Sequence, residues 1–139
     1  MMTSSEAGAG APRAVVAGHG DFAAGIISAV DQISGRGSVF RAVSNSGLDP
    51  AALLEVLGNA VAGHGARAIF TDLPAGSCTI AARRCARERP GLAVVTGANL
   101  AMLLDFALKG GDGASAARAA ERGREAIIVT LAAEPGGAH

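Results

Sequence analysis

Short apolar runs recur along the chain, and each of them ends at glycine, proline or small polar residues. Runs bounded in this way are typical of strands that are buried on both faces of a sheet. The first begins at Arg13 and ends at Ala17, directly before the triplet Gly18-His19-Gly20. The pattern predicts strands at residues 13–17, 38–44, 66–71, 92–96 and 126–131.

The segments between these runs carry apolar residues at helical spacing. Phe22, Ile26 and Val30 follow the first run along one helical face. Asp21 precedes them as a candidate N-cap, and Gly35 follows them as a natural stop. Further helices are predicted after Asp49-Pro50, from about Ser77 to Glu88, after Asn99 and after the glycine-rich break at 110–113. Strands that alternate with helices indicate a small, doubly wound α/β domain whose mainly parallel sheet carries helices on both faces.

Positive and negative charges balance along the chain: Lys and Arg total 12, and Asp and Glu total 12. Such a chain has no broad basic surface for nucleic acid or for an anionic membrane. It has no Trp, no Tyr and 4 Phe, too few aromatic rings for a base-stacking platform. With 50% apolar residues over 139 positions it can bury a core, which excludes overall disorder. Nucleic acid is therefore not an expected partner.

Targeting and membrane segments are not predicted. The most apolar stretch, 93–108, is interrupted by glycine and polar residues and falls short of the roughly 18 apolar residues of a membrane span. Residues 1–12 lack the basic-then-apolar order of a signal peptide. We therefore predict a cytoplasmic domain over residues 13–132, with a disordered leader at 1–12 and a flexible tail at 133–139.

The two cysteines, Cys78 and Cys85, lie seven positions apart. On one helix they would share a face at a separation of roughly 10 Å, which exceeds the reach of a disulfide. Reduced thiols are therefore expected. The cysteines and histidines match no zinc-binding spacing, so no metal is expected.

Three loops at the carboxyl ends of the predicted strands carry the unusual residues, at 18–20, 72–77 and 97–99. Open α/β sheets bind ligands at this edge. If the first and third strands are neighbours, His19 and Asp72 face each other across the crevice. A carboxylate on one ring nitrogen fixes the histidine tautomer and leaves the other nitrogen free to attack an electrophile.

Gly76 and Ser77 open a predicted helix, whose N-terminal amides and serine hydroxyl favour an anion. Together with a nucleophilic imidazole and an orienting carboxylate, this suggests a transient phosphohistidine. Simpler interpretations make His19 a tolerated loop residue, Asp72 a turn residue and Ser77 an N-cap. His64, which lies between two glycines at a helix end, is explained by the helix dipole.

Three blocks of the sequence follow one another in an order that matches a known family: AVVAGHGDFAAG at 14–25, TDLPAGS at 71–77 and TGANLAMLL at 96–104. Together they resemble the IIA domain of mannose-family sugar phosphotransferase systems. In that family an apolar strand leads into a Gly-His-Gly loop. A second loop has Asp, two variable residues, Gly-Gly and Ser or Thr, and a third block is a Gly-x-Asn-Leu-x-Leu-Leu-like run. The resemblance extends over about residues 13–131.

The resemblance implies that His19 accepts a phosphoryl group from the phosphocarrier protein HPr and passes it to a IIB component for coupled sugar uptake. It implies that Asp72 orients the imidazole and that Gly20, Gly76 and Ser77 bind the phosphoryl group. It also implies a flavodoxin-like fold, no metal or diffusible cofactor, and a homodimer that exchanges its last strand between subunits. The membrane subunits IIC and IID would be indirect partners. With no second domain following, the chain resembles a stand-alone IIA component.

Two positions depart from the family pattern. Ala75 replaces the first glycine of the usual pair, which would strain the loop if that position requires a positive φ. Cys78 stands where proline is common and places a thiol beside the site. These departures leave an alternative open, a regulatory phosphohistidine protein of the same fold that is not coupled to transport.

A hydrolase is a second alternative. It would use Ser77 or Cys78 as nucleophile, His19 as base and Asp72 as the orienting group. The sequence lacks the G-x-S-x-G nucleophile elbow of one large hydrolase class, which argues against this interpretation.

A nucleotide-binding module is a third alternative, suggested by Gly18-x-Gly20 after the first strand. Ala23 stands where the fingerprint has its third glycine, and the second strand ends without the acidic residue that holds a ribose. A purely structural or interaction role is the last alternative, and it predicts that His19→Ala has no effect.

Overall fold

The computed structural model describes residues 12–109 and 113–133. Within them one sheet of four strands is surrounded by five α-helices. The strands are β1 (Ala14–Gly18), β2 (Phe40–Ser44), β3 (Ala68–Thr71) and β4 (Ala93–Val95). The helices are α1 (Phe22–Ser34), α2 (Pro50–His64), α3 (Ser77–Arg87), α4 (Leu100–Lys109) and α5 (Gly113–Glu125). Neighbouring strands are parallel, in the order β2-β1-β3-β4, so the predicted α/β fold is confirmed.

The sheet is covered on both faces because successive residues of each strand point to opposite sides. Val15 of β1 and Ile69 of β3 are fully buried in the core under α2 and α3. Val16 and Phe70, the next residue of each strand, are buried in the core under α1, α4 and α5. In this second core Phe70 meets Phe106 edge to face, with ring centroids 5.1 Å apart. The runs of β1 and β3 each supply side chains to both cores, and for that reason their apolar residues do not alternate with polar ones.

Local signals at the helix ends account for several boundaries. Asp49 caps α2 by accepting a hydrogen bond of 2.7 Å from a first-turn amide, and Pro50 follows it as the first helical residue. Helix α1 ends at Gly35 in the left-handed conformation, as predicted. Helix α2 continues through Gly63 and stops at Gly65, which has a φ of 62°.

One strand start and two capping predictions are wrong. The second strand begins at Phe40 and not at residue 38, because Gly37–Val39 form a 3₁₀ turn with its own hydrogen bond. Ser77 is the first helical residue of α3, and Gly76 holds the N-cap position because the entry to the helix requires a positive φ. Asp21 occupies the N-cap position of α1 but its side chain makes no capping bond, since its backbone is not in the extended conformation that capping requires.

The segment 126–131 is not a strand in the single chain, so the prediction of a fifth strand within the chain is wrong. Ala126 and Ile127 donate backbone hydrogen bonds to the last turn of α5. The residues after them pair with neither edge of the sheet in the described part of the chain, and a strand requires such a partner. The large apolar side chains of this segment are 73–85% exposed: Ile127, Ile128, Val129 and Leu131.

Several other expectations concern the termini and the cysteines. The predicted leader and tail lie outside the described residues, apart from residues 12 and 133. Cys78 and Cys85 are free thiols, both buried. Across residues 12–109 and 113–133, no helix is long and apolar enough to cross a membrane.

Candidate functional site

His19 and Asp72 meet at the carboxyl edge of the sheet. They follow β1 and β3, which are adjacent parallel strands with Ala17 in register with Thr71. The amide nitrogen and the ring Nδ1 of His19 both lie 2.8 Å from Asp72 Oδ2. The side chain of His19 is 46% exposed, whereas that of Asp72 is 11% exposed. The structure therefore brings together two residues that the sequence places in facing loops.

The electrostatics of this pair fix the histidine tautomer. Partial burial raises the pKa of Asp72, but hydrogen bonds from the His19 amide and ring, together with the ring's charge, outweigh it and leave the pKa below its usual value. The carboxyl group is therefore ionised near neutral pH and only accepts hydrogen bonds. Nδ1 of His19 must carry the shared hydrogen, so in the neutral form of the ring it is Nε2 that holds the lone pair. Asp72 Oδ1 is buried and has no hydrogen-bond partner in the described part of the chain.

Gly18 allows the two loops to approach each other. A Cβ atom at this position would lie 2.5 Å from Phe22 Cδ2 and 3.1 Å from Asp72 Oδ2. The first distance is well below van der Waals contact, so a side chain would displace the start of α1 or the carboxylate. The glycine before His19 is thus explained by close packing at the site, without a bound nucleotide.

The last residue of β2 and the residue that follows it hold the backbone on both sides of His19. Neither was predicted as a site residue. The Ser44 hydroxyl donates to the Gly20 carbonyl at 2.9 Å, and the backbone amide of Asn45 donates to the Gly18 carbonyl at 3.2 Å. In return the Gly20 amide donates to Asn45 Oδ1 at 3.4 Å. Their position in the sequence could have indicated them: they lie at the end of the strand beside β1, and the ends of parallel strands share one edge of the sheet.

The start of α3 lies beside the edge of the His19 ring that carries Nε2. Gly76 has a φ of 115°, and a Cβ atom there would lie 3.4 Å from His19 Cε1 and 3.9 Å from Nε2. Ser77 follows as the first residue of the helix and is half-buried. The free amides of a helix start carry partial positive charge. An anion beside Nε2 would therefore be stabilised here.

The two departures from the family pattern leave the backbone unstrained. No non-glycine residue of the described chain has a positive φ, so Ala75 fits the loop in an ordinary conformation. Cys78 is fully buried. Burial raises the pKa of the Cys78 thiol and the negative charge of Asp72 raises it further, while a hydrogen bond with Ser77 lowers it by less. The thiol is therefore neutral and enclosed beside the site.

Two buried threonines connect the Asp72 loop to α3, and neither was predicted. Thr71 and Thr79 are 0% and 1% exposed, and their hydroxyl oxygens lie 2.6 Å apart. Thr79 Oγ1 donates to the Leu73 carbonyl at 2.6 Å, and Thr71 Oγ1 lies 3.2 Å from the same carbonyl. The residues on both sides of Asp72 are thus tied to the first turn of α3.

Two other polar residues lie apart from this cluster. Asn99 caps α4 by accepting a hydrogen bond of 3.0 Å from the Met102 amide, and it donates one of 2.9 Å to the Gly123 carbonyl in α5. His64 lies at the end of α2, with Nε2 3.2 Å from an Arg41 guanidinium nitrogen. Within the described ranges, no three acidic, cysteine or histidine side chains are grouped so that they could hold a metal ion.

Comparisons with known proteins give a family model and several structures of phosphotransferase system IIA proteins. The family model described as PTS system fructose IIA component matches residues 13–122. The structure is similar to phosphotransferase system component EIIA from Streptococcus agalactiae, with a TM-score of 0.77 at 20% identity over 84% of this chain and 95% of that chain. It is also similar to the mannose/sorbose specific IIA subunit from Enterococcus faecalis, with a TM-score of 0.72 at 20% identity over 90% and 98%.

A third similar structure is the PTS IIA protein associated with the fucose utilization operon from Streptococcus pneumoniae. Its TM-score is 0.75 at 18% identity, over 86% of this chain and 93% of that chain. At these identities the likeness concerns the fold. No curated protein matches the sequence.

Proposed function

The chain belongs to the family of PTS system fructose IIA components, and from this membership we propose that it carries phosphoryl groups on His19, accepting them from phosphorylated HPr and passing them to a IIB component. The observation that carries the proposal is the double hydrogen bond of His19 to Asp72 Oδ2, at 2.8 Å from both the amide and the ring. An imidazole held in this way has one defined tautomer and one exposed nucleophilic nitrogen.

The chemistry follows from that tautomer. The Nε2 lone pair of His19 attacks the phosphorus of the donor phosphohistidine, the P–N bond of the donor breaks, and its electron pair returns to the donor imidazole. The His19 ring gains positive charge as the new P–N bond forms, and the Asp72 carboxylate on Nδ1 stabilises that charge. Transfer to the next carrier runs by the same step in reverse and restores the free imidazole.

We assign three residues of the surrounding loops to the phosphoryl oxygens. Gly76 lies against the Cε1–Nε2 edge of His19 and leaves open the space that a side chain would fill. Ser77 begins α3 and offers a hydroxyl and a helix-start amide. Gly20, with a φ of 53° and no atom within 4 Å of its Cβ position, leaves the other side of the loop open. No step requires a metal or a diffusible cofactor.

A hydrolase fits the geometry less well. Cys78 is fully buried and its thiol pKa is raised, first by burial and then by the charge of Asp72, so it is a poor nucleophile at neutral pH. Among the described residues, no hydrogen bond joins the Ser77 hydroxyl to His19. A serine nucleophile would need that bond for activation.

The decisive experiment is phosphorylation by a purified relay. The protein is incubated with phosphoenolpyruvate, enzyme I and HPr, and its intact mass is recorded. We expect an acid-labile gain of one phosphoryl group that His19→Ala removes and His64→Ala retains, because His64 lies in a separate cluster with Arg41. Absence of a gain on the unmodified protein, while a control IIA component is charged by the same HPr, would contradict the proposal.

Coupling to transport is tested one step later. The charged protein is mixed with purified IIB components, and the loss of the phosphoryl group from His19 is followed by mass. Transfer to a IIB component supports a place in sugar uptake, with the membrane subunits IIC and IID as indirect partners. Retention of the group with every IIB component offered supports the regulatory alternative.

We also propose that the chain forms a homodimer through the segment 126–131. Ile127, Ile128, Val129 and Leu131 are 73–85% exposed, more apolar surface than an isolated segment keeps in water. Light scattering with size exclusion is expected to give a dimer. The pair Ile128→Asp and Val129→Asp is expected to give a monomer, whereas Ile33→Asp, at a site 62% exposed on α1, leaves the dimer intact. A monomeric unmodified protein would contradict this proposal.

A further inference from the structure

We propose that Thr79 is a positioning residue for Asp72, and through it for the His19 imidazole; this role rests on the proposed function. Thr79 lies in the first turn of α3 and is 1% exposed, so its hydroxyl has no access to a ligand. The hydroxyl oxygen lies 2.6 Å from the Leu73 carbonyl and 2.6 Å from Thr71 Oγ1. It therefore contacts both neighbours of Asp72 in the chain.

Asp72 depends on this support because, among the described residues, its carboxylate is held by hydrogen bonds from His19 and by its own backbone amide alone. Oδ2 accepts both hydrogen bonds from His19, and the buried Oδ1 has no hydrogen-bond partner among the described residues. A carboxylate normally gains its orientation from hydrogen bonds to both oxygens. Here the backbone at residues 71–73 must supply the missing constraint.

The hydrogen atoms of the threonine pair have one economical arrangement. Two hydroxyl groups supply two hydrogens, and the shortest contacts are from Thr71 Oγ1 to Thr79 Oγ1 and from Thr79 Oγ1 to the Leu73 carbonyl, each at 2.6 Å. Thr71 therefore donates to Thr79, and Thr79 donates to Leu73. Such a chain strengthens each of its bonds, and Thr79 is the member that both accepts and donates. The main chain of Thr71 is held separately, since its carbonyl accepts from the Ala98 amide at 2.9 Å.

The position of Thr79 also links the two halves of the site. Its helical turn begins at Ser77, directly after Gly76, which lies beside the Cε1–Nε2 edge of the His19 ring. By holding the Leu73 carbonyl, Thr79 fixes the carboxylate that orients the ring relative to the amides that would receive the phosphoryl group. Errors of about 1 Å in such geometry lower rates by roughly 100-fold.

The test compares Thr79→Val, which keeps the shape and removes the hydroxyl, with Thr79→Ser, which keeps the hydroxyl. The rate of phosphoryl acceptance from phospho-HPr is expected to fall by about tenfold in Thr79→Val and to stay within about twofold in Thr79→Ser. Ser34→Ala is the control, because it removes a hydroxyl that bonds the Val30 carbonyl on α1 at 2.8 Å, away from the site. Equal rates for Thr79→Val and the unmodified protein would overturn the proposal.

A double-mutant cycle separates positioning from a general loss of structure. In an Asp72→Asn background the oriented carboxylate is already lost, so Thr79→Val should cause little further decrease in rate. A full additional tenfold loss in that background would show that Thr79 acts independently of Asp72 and would overturn the proposal. Should Thr79→Val fail to fold, Thr71→Val takes its place, with a smaller expected decrease because the bond from Thr79 to Leu73 is retained.

A second readout does not depend on phosphorylation. Nitrogen NMR of the His19 ring reports which nitrogen carries the hydrogen, and we expect the Nδ1–H form to predominate in the unmodified protein and in Thr79→Ser. The Nε2–H form should rise in Thr79→Val, and an unchanged tautomer ratio would overturn the positioning role. If the protein accepts no phosphoryl group yet the ratio shifts as expected, the proposed function fails while the link from Thr79 to His19 stands.

Discussion

The amide and the ring of His19 donate to the same oxygen of Asp72, each at 2.8 Å. This single acceptor fixes the imidazole relative to its own main chain, because the ring cannot turn without losing one bond while the other holds the loop in place. The pair is also asymmetric in solvent exposure: the ring is 46% exposed and the carboxylate 11% exposed. The orienting group is thus enclosed, and the nucleophilic group is open to a protein partner.

Replacing Asp72 by asparagine tests the orienting role. Asp72→Asn keeps an acceptor for the His19 amide but removes the negative charge that stabilises the ring when it is phosphorylated. We expect phosphoryl acceptance to slow by about 10- to 100-fold, as when the group that orients a metal-bound histidine is removed. The measurement is quenched-flow mass spectrometry with phospho-HPr. Asp49→Asn is the matched control because asparagine caps a helix as well as aspartate does, and equal rates for both variants would defeat the orienting role.

The lowered pKa of Asp72 predicts a specific dependence of stability on pH. Because the pKa is lower in the folded protein than its usual value of 3.8, ionised Asp72 stabilises the native state above that value, and this contribution is lost as the pH falls toward the folded pKa. Urea unfolding of the unmodified protein and of Asp72→Asn should therefore differ at about pH 6 and converge below about pH 4. A stability difference that stays constant from about pH 4 down to about pH 2 would contradict the assignment.

Substitution of Gly18 tests the close packing at the site. In Gly18→Ala the new Cβ would lie 2.5 Å from Phe22 Cδ2, so either the ring or the β1 loop must move. We expect a loss of about 1–3 kcal/mol in the free energy of unfolding, as for other overpacked sites. Gly25→Ala is the control, because Gly25 is exposed inside α1 with no atom within 4 Å of its Cβ position, and it should gain about 0.5–1 kcal/mol. Similar changes for the two variants would refute the packing argument.

The two cysteine thiols are expected to be unreactive in the native protein. Burial raises the pKa of Cys78 and of Cys85; the charge of Asp72 adds to the shift at Cys78, and Arg89 partly offsets it at Cys85. At about pH 8, where a free thiol is partly ionised, neither should react quickly with Ellman's reagent. Both should react after unfolding in urea. Rapid labelling of Cys78 in the native protein would show that the region beside Asp72 is open to solvent.

The order of the elements and the facing of His19 and Asp72 could be predicted from sequence because both depend on strong local signals. Residues 14–17 are apolar at every position, and several helix starts and stops are marked by residues such as Asp49 or Gly35. Once the strands are parallel, the loops that follow them must share one edge. The pairing of Asp72 with His19 then needs only that β1 and β3 be neighbours.

Other parts of the site carry no such signal. Thr79 occupies the first turn of a helix, where threonine is common, and its bond to Leu73 depends on how far α3 lies from the end of β3. Asn45 follows the end of β2, where many polar residues would fit equally well. Its contact with Gly20 depends on the register of β2. The segment 126–131 has the composition of a strand, but composition does not show whether a pairing edge exists within the same chain.

The parallel pairing of β1 with β3 also determines when the pair of His19 and Asp72 forms during folding. His19 and Asp72 are 53 positions apart, and their parallel strands are joined by a long crossover that contains α1, β2 and α2. Contacts of such long sequence separation form late and slowly. A chain with its helices formed but β1 and β3 unpaired has no oriented imidazole. Recovery of phosphoryl acceptance after dilution from denaturant would therefore track the last cooperative step of refolding and not the early return of helical signal.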